Sequence, residues 1–204
     1  MVACMLRTAF AVLALLTSPL VVQAQPQPQQ QPQQVPAPDQ HPGTGLVFPA
    51  QIADVPKVRS ADYGKMVDQP GLGFSWGYQS GQVFLATAYL YNLGVGSIPD
   101  GPSSQPVAAQ FETALKEIRE VAATRKYEQL KIANGPADCT AGRLTFRCIT
   151  MTGMRNSRPL HTGLMVTGYR NYFFKLRLDW FDDSEFNQAA VDRFVQILVS
   201  TVAP

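Results

Sequence analysis

The fold is decided by the stretch TGLMVTGYRNYFFKLRLDW at residues 162–180, in which two apolar runs flank Arg170-Asn171. In the second run every other residue is large and apolar: Phe174, Leu176, Leu178 and Trp180. The residues between them are mainly charged: Lys175, Arg177 and Asp179. A period of two is typical of a strand with one buried face and one polar face. Because Asn readily adopts a positive φ, the runs are predicted to form strands 162–170 and 172–180 of a tight hairpin.

Further strands are predicted upstream of this hairpin. Large and small residues alternate at 71–78, and a β-branched and aromatic stretch follows at 83–91 after a Gln-Ser-Gly turn, which predicts a second hairpin. The other predicted strands cover residues 46–48, 128–133 and 143–152. Pro56 would confine any strand at 52–59 to the sheet edge. Asn134-Gly135-Pro136 is expected to end the strand that precedes it.

Two helices are predicted from apolar residues at helical spacing. The first begins after the N-cap Ser104 and ends near Thr124. The second follows a capping box formed by Asp182 and Glu185. Their buried stripes are Phe111, Leu115, Ile118 and Ala122 in the first, and Phe186, Ala190, Phe194, Ile197 and Leu198 in the second. Locally paired strands with two main helices predict an α+β domain, in which an antiparallel sheet of about six to seven strands carries both helices.

The N-terminal segment differs in composition from the rest of the chain. Residues 1–24 carry Arg7, an apolar run and then Val22-Gln23-Ala24, which is the layout of a signal peptide cleaved after Ala24. Residues 25–45 are rich in Pro and Gln and are predicted to be a disordered tether. One globular domain is then expected over residues 46–204. It would lie in the periplasm or outside the cell, with no transmembrane segment after cleavage.

Two cysteines, Cys139 and Cys148, remain after cleavage, since Cys4 lies in the signal peptide. They flank a Thr-Ala-Gly turn. Cysteines in an oxidising compartment usually pair. A disulfide across the mouth of a hairpin is therefore predicted, and two free buried thiols are the alternative.

The charge of the chain is nearly balanced, with 17 Lys and Arg residues against 15 Asp and Glu residues, and gives no argument for nucleic acid as a partner. Between Cys139 and Leu178, however, there is no acidic residue. The cations of this cationic band are Arg143, Arg147, Arg155, Arg158, Arg170, Lys175 and Arg177. If both helices covered one sheet face, the band could project from the other and bind lipid phosphates, acidic glycans or an acidic protein. The alternative is a solvated face that prevents edge pairing.

Gly73-Phe74-Ser75-Trp76-Gly77 matches the nucleophile-elbow pattern of serine hydrolases. That pattern requires a strand, a turn and a helix, whereas a turn and another strand follow here. A hydrolase would have to use His161 as the base, with Asp100 or Asp138 as the acid. A small serine hydrolase that uses Ser75 and His161 is therefore the alternative function. No metal or cofactor is predicted, because the sequence has neither a ligand cluster nor a phosphate-binding glycine loop.

The order of the elements, the strand end Tyr89-Leu90-Tyr91-Asn92-Leu93-Gly94 and the final amphipathic helix resemble the Mog1/PsbP-like α+β sandwich. This resemblance covers about residues 46–200, and the chain is also similar to secreted bacterial proteins of unknown function. The resemblance implies a binding or assembly module rather than an enzyme. It carries over no functional residue, because no motif matches.

These features favour a secreted or periplasmic, non-enzymatic binding or assembly module. Its partner would be a protein or an anionic envelope component that engages the cationic band or the Gly- and Pro-rich loop 92–103. Long loops inside a domain are often functional, although such a loop can also simply cross one end of a sheet. The ligand, any catalytic activity and the oligomeric state stay open.

Overall fold

The computed structural model describes Ala37 and residues 39–124, 127–181 and 187–203. The strands are β1 (Gln51–Ile52), β2 (Val55–Asp62), β3 (Phe74–Ser80), β4 (Phe84–Tyr91), β5 (Tyr127–Ala141), β6 (Leu144–Arg155), β7 (Arg158–Tyr169) and β8 (Tyr172–Phe181). The helices are α1 (Tyr63–Val67), α2 (Gln105–Thr124) and α3 (Gln188–Val202), with a short 3-10 turn at Pro70–Leu72.

All of these strands belong to one antiparallel sheet with the order β1-β2-β3-β4-β8-β7-β6-β5. The chain leaves the centre of the sheet after β4, and α2 carries it to the far edge. From there, β5 to β8 return strand by strand until β8 pairs with β4. The predicted α+β class with an antiparallel sheet is thus confirmed. Within the described residues the sheet has eight strands in place of six to seven, and the short α1 is a third helix.

The two long helices pack on opposite faces of the sheet. The predicted apolar side of β8, with Leu176 and Trp180, lies in one cluster with Phe194 of α3. Phe173, on the other side of β8, lies in a second cluster with Phe111 of α2. The assumption that both helices share one face is therefore wrong. The helices lie on opposite faces because β6, β7 and β8 carry apolar residues on both sides. α2 buries the apolar residues of the second side: Ile149, Met151, Leu164, Val166 and Phe173.

Strand β5 is much longer than predicted, because Asn134-Gly135-Pro136 does not end it. The pairing with β6 shifts register between Ile132 and Asn134 and again between Asn134 and Ala137. These irregularities let the strand continue past a proline, which has no N–H to donate to a ladder. The Gly135-Pro136 peptide bond is cis. The bulged strand forms one edge of the sheet.

The ambiguous segment around Pro56 is a strand, β2, which pairs with β3 on one side and with the two-residue β1 on the other. It leads into α1, where the side chain of Asp62 caps the helix by accepting a hydrogen bond from Lys65 N at 3.0 Å. The predicted strand at 71–78 begins later, at Phe74, since Pro70–Leu72 form the 3-10 turn. None of the described helices is long and apolar enough to cross a membrane.

The last residues of the predicted tether pack on the domain. His41 and Thr44 are 1% and 2% exposed, and Gln40 forms a β-bridge with Val47. Lys57 fixes this segment by donating to Phe48 O at 2.7 Å and by pairing with Asp39. The packed domain therefore includes residues 39–45, which the composition assigned to the tether. The predicted signal peptide, most of the tether and the capping box at Asp182 and Glu185 lie outside the described residues.

Candidate ligand-binding cleft

A cleft with a volume of about 660 Å³ lies on the α3 side of the sheet, between α3 and the bulged strand β5. Its floor is formed by sheet residues of β6, β7 and β8: Cys148, Thr150, His161, Gly163, Met165, Leu178 and Trp180. One wall consists of the α3 residues Gln188, Val191, Asp192, Val195 and Gln196. The other wall is β5 from Ala133 to Ala141. The cleft is thus bounded by a helix on one side and by an edge strand on the other.

Gln196 closes one end of the cleft by joining α3 to the β5–β6 turn. Its Oε1 accepts a hydrogen bond from Gly142 N at 2.8 Å, and its Nε2 donates to Thr140 O at 2.9 Å. Gly142 has a φ of +55°, and a Cβ there would lie 3.0 Å from Ser200 Oγ. A glycine is therefore needed where the turn comes close to the helix.

The Cys139–Cys148 disulfide joins the β5 wall to the floor. Its Cα atoms are 6.0 Å apart, and the two residues form a diagonal pair, two residues out of direct register, since Cys139 lies opposite Phe146 and Cys148 opposite Ala137. The predicted pairing across a hairpin agrees with this arrangement. In the fold, the disulfide ties the irregular part of the edge strand to the regular part of the sheet.

The cleft contains few charges. No Lys or Arg side chain is among its described lining residues. On α3, Asp192 accepts a hydrogen bond from Gln188 Nε2 at 2.8 Å. On the floor, the ring of His161 stacks on that of Trp180, with centroids 5.1 Å apart. Asp138 also belongs to the lining, and its register partner is Arg147 of β6.

The cationic band does not line the cleft. Most of its side chains lie instead over aromatic rings: Arg147 over Phe111, Arg155 over Tyr127, Arg158 over Phe181, Arg170 over Tyr169, and Lys175 over Tyr89 and Tyr91. Cation–π contacts of this kind contribute about 0.5–2 kcal/mol each. Arg143 is exposed in the β5–β6 turn. The band is therefore divided among several places on the α2 side of the sheet and in its turns.

The Gly- and Pro-rich loop 92–103 packs on the β7–β8 turn. Ile98 N donates to Asn171 Oδ1 at 2.8 Å, and Arg170 N donates to Asp100 Oδ1 at 2.6 Å. Gly101 and Gly168 form a β-bridge. The loop thus covers one end of the sheet, and none of its residues is part of the described cleft lining.

Ser75 and His161 lie on opposite faces of the sheet. Ser75 pairs in register with Tyr89 on the α2 side, and its Oγ donates to Tyr63 OH at 3.3 Å. His161 stacks on Trp180, on the α3 side. Because the sheet separates the two side chains, the proposed hydrolase pair is wrong. The Gly-x-Ser-x-Gly pattern at 73–77 lies in and just before β3, where small residues alternate with Phe74 and Trp76.

The comparisons with known proteins identify no relative: no family model, curated protein or solved structure matches this chain. The resemblance to the Mog1/PsbP-like sandwich therefore stays a prediction. Among the described residues, no group of three or more His, Cys, Asp and Glu is arranged to hold a metal ion.

No sequence motif predicts the cleft. Its residues are separated along the chain and share no motif; the one local signal is Gly163, a glycine inside a strong strand, which often marks close approach of a ligand or another chain segment.

Proposed function

We propose that the protein is a secreted or periplasmic, non-enzymatic binding module whose cleft binds a small organic molecule. The observation that carries this proposal is the cleft of about 660 Å³ between α3 and β5. Ligand sites for small molecules typically have volumes of about 300–1,000 Å³ and combine an apolar lining with a few polar groups. The disulfide supports an oxidising compartment.

The lining indicates a ligand that is uncharged or carries one positive charge. Apolar contact is offered by Met165, Leu178, Val191 and Val195, and hydrogen bonds by amides and hydroxyls along both walls. An anion would meet no Lys or Arg side chain in the described lining, and Asp192 would repel it. The anionic partner expected from the sequence therefore fits this cleft poorly.

Gly163 provides the test, because a side chain there would fill the cleft from its floor. A Cβ at residue 163 would lie 3.4 Å from Leu178 Cδ1, an ordinary contact. The Cβ itself therefore fits, and the outer carbons of leucine in Gly163→Leu would occupy ligand space. Gly96→Leu is the matched control, since a Cβ at residue 96 meets nothing within 4 Å.

The measurement is thermal unfolding of the full secreted chain in the presence of a compound library sorted into neutral, monocationic and anionic sets. A ligand at 100 times its Kd stabilises a protein by about 2.7 kcal/mol, which raises the midpoint by several degrees. Neutral or monocationic hits should act on the wild type and on Gly96→Leu but not on Gly163→Leu. Hits that act equally on all three proteins, or hits confined to the anionic set, would refute the proposal.

A further inference from the structure

The α2 side of the sheet carries a second surface that the cleft does not use. α2 packs against β5, β6 and β7. α2 also covers Tyr91 at the end of β4 and Phe173 near the start of β8, while the other outward side chains of β2, β3, β4 and β8 lie beside the helix. We call this surface the polar sheet face; its members are Arg59, Thr87, Tyr89, Lys175, Arg177 and Asp179, with Glu117 of α2 at its border.

Strand register brings these side chains together in cross-strand rows. Tyr89 lies directly opposite Lys175, and Thr87 lies directly opposite Arg177. Asp179 follows in the next row of β8 on the same side. The charges are thus mixed on a small area, with cations from two distant parts of the chain.

Arg59 and Arg177 lie on either side of the Thr87 and Tyr89 hydroxyls. Arg59 Nη2 donates to Thr87 Oγ1 at 3.2 Å, and the Arg59 side chain itself is exposed. Burial raises the pKa of the Tyr89 phenol, and both guanidinium groups act in the opposite direction. The Tyr89 phenol therefore lies close enough to both guanidinium groups to interact with them electrostatically.

Lys175 is held at the border between this face and α2. Its Nζ is 4.6 Å from the centroid of the Tyr89 ring and 3.8 Å from Glu117 Oε2. The side chain is 13% exposed. Lys175 and Glu117 thus form a fixed pair at one end of the face, and Arg59 and Arg177 lie in the next cross-strand row, which contains Thr87.

Several polar atoms of this region are buried without a hydrogen-bond partner among the described residues. They are Arg177 Nε, Asp179 Oδ1 and Thr162 Oγ1, and Thr162, which lies opposite Asp179, is fully buried. An unpartnered buried polar atom costs about 1–3 kcal/mol. Because these atoms are closed to solvent, a ligand on this face would contact the other polar atoms of Arg177 and Asp179.

We propose that the polar sheet face binds an acidic glycan, with a sugar carboxylate between Arg59 and Arg177 and a sugar ring against Tyr89. Guanidinium groups suit a carboxylate because they present paired N–H donors in one plane. Asp179 and Glu117 accept hydrogen bonds from sugar hydroxyls. A ligand that offered only phosphate oxygens would give these two carboxylates no hydrogen-bond donor, so hydrogen-bond complementarity favours a polyhydroxyl anion.

The test is calorimetric titration of the full secreted chain with tetragalacturonate, with cellotetraose as the neutral probe. Tetragalacturonate should bind and cellotetraose should not. Arg59→Gln and Arg177→Gln should each weaken binding by about tenfold or more, as expected for loss of a hydrogen bond to a charged group. Arg143→Gln removes the same charge from an exposed turn and should leave the affinity within twofold of the wild type.

Arg59→Gln keeps the test decisive if Arg177→Gln fails to fold, because residue 59 is exposed. Equal weakening by Arg143→Gln would mean a non-specific charge effect and would overturn the proposal. Absence of tetragalacturonate binding, or binding only to phosphatidylglycerol vesicles, would also overturn it. Gly163→Leu should not change this titration, so failure here and failure of the cleft proposal are distinguishable.

Discussion

The imidazole of His41 lies edge-on against the ring of Tyr172, with ring centroids 4.7 Å apart and planes at 83°. Phe74 contacts the same imidazole in the same manner at 5.0 Å. His41 Nδ1 accepts a hydrogen bond from Thr44 N at 3.0 Å, while Nε2 is buried without a partner among the described residues. Burial lowers the pKa of His41 from 6.5 to about 4. The folded protein thus holds this ring in its neutral form.

This burial predicts a loss of stability between neutral and mildly acidic pH. Above pH 6.5 the ring is neutral in both folded and unfolded chains, so it contributes no pH dependence. Below pH 6.5 the unfolded chain binds a proton that the folded chain binds only near pH 4. The free energy of unfolding should therefore decrease as the pH is lowered below 6.5. At pH 5 it should be about 2 kcal/mol smaller than at neutral pH.

Urea unfolding at pH 7.5 and pH 5.0 measures this effect. His41→Gln should remove about 2 kcal/mol of the difference between the two pH values, because glutamine does not titrate. His161→Gln, which changes the other histidine, should leave the His41 contribution in place. An identical pH dependence in wild type and His41→Gln would contradict the prediction.

His41 also shows what composition alone cannot reveal. Residues 25–45 contain too few apolar residues to form a core, which predicts disorder. The end of this segment is nevertheless packed, because it enters a core that other elements supply. Phe48, just beyond the predicted boundary, stacks on Trp76 with ring centroids 3.8 Å apart. The strand prediction at 46–48 was the only local signal that the chain attaches here.

The parts of the fold that the sequence predicted are those set by local periodicity. The alternation of β8, the apolar stripe of α2 and the spacing of Cys139 and Cys148 each depend on near neighbours in the chain. The choice of face for each helix depends instead on residues far away, such as Phe146 and Val166. The cleft was not predictable for the same reason, because it exists only where β5 and α3 come together.

The disulfide should stabilise the domain and the cleft together. Replacing both residues, Cys139→Ala with Cys148→Ala, should lower the free energy of unfolding by about 2–3 kcal/mol, as expected for a loop of this length. The β5 wall loses its tie to the floor, so affinity for any cleft ligand should fall as well. Urea unfolding and titration of the purified protein measure the two effects. Detection of two free thiols in the purified protein without reductant would contradict the disulfide itself.

Gly168 should tolerate no side chain, because loop 92–103 lies directly on it. A Cβ at residue 168 would overlap with Pro99 O and lie 3.3 Å from Ile98 Cγ2. Gly168→Ala should therefore displace the loop and lower the free energy of unfolding by about 2 kcal/mol or more. Gly96→Ala, in the same loop and with open space around it, should stay within about 0.5 kcal/mol of the wild type. Equal stability of the two variants would show that the loop is not fixed by this contact.

Glu117 should control the protonation of Lys175 across the border between α2 and the sheet. Burial lowers the pKa of the Lys175 amine, and Glu117, 3.8 Å away, raises it and so opposes burial. Glu117→Gln removes only the opposing charge, so the pKa of Lys175 should fall further below its usual value. NMR titration of the Lys175 side-chain carbon and proton signals measures the change.

Glu112→Gln, an exposed change on the same helix, is the matched control and should leave the Lys175 titration unchanged. A rise in the pKa of Lys175 in Glu117→Gln would contradict the assigned contact, because removing a neighbouring negative charge can only favour the neutral amine.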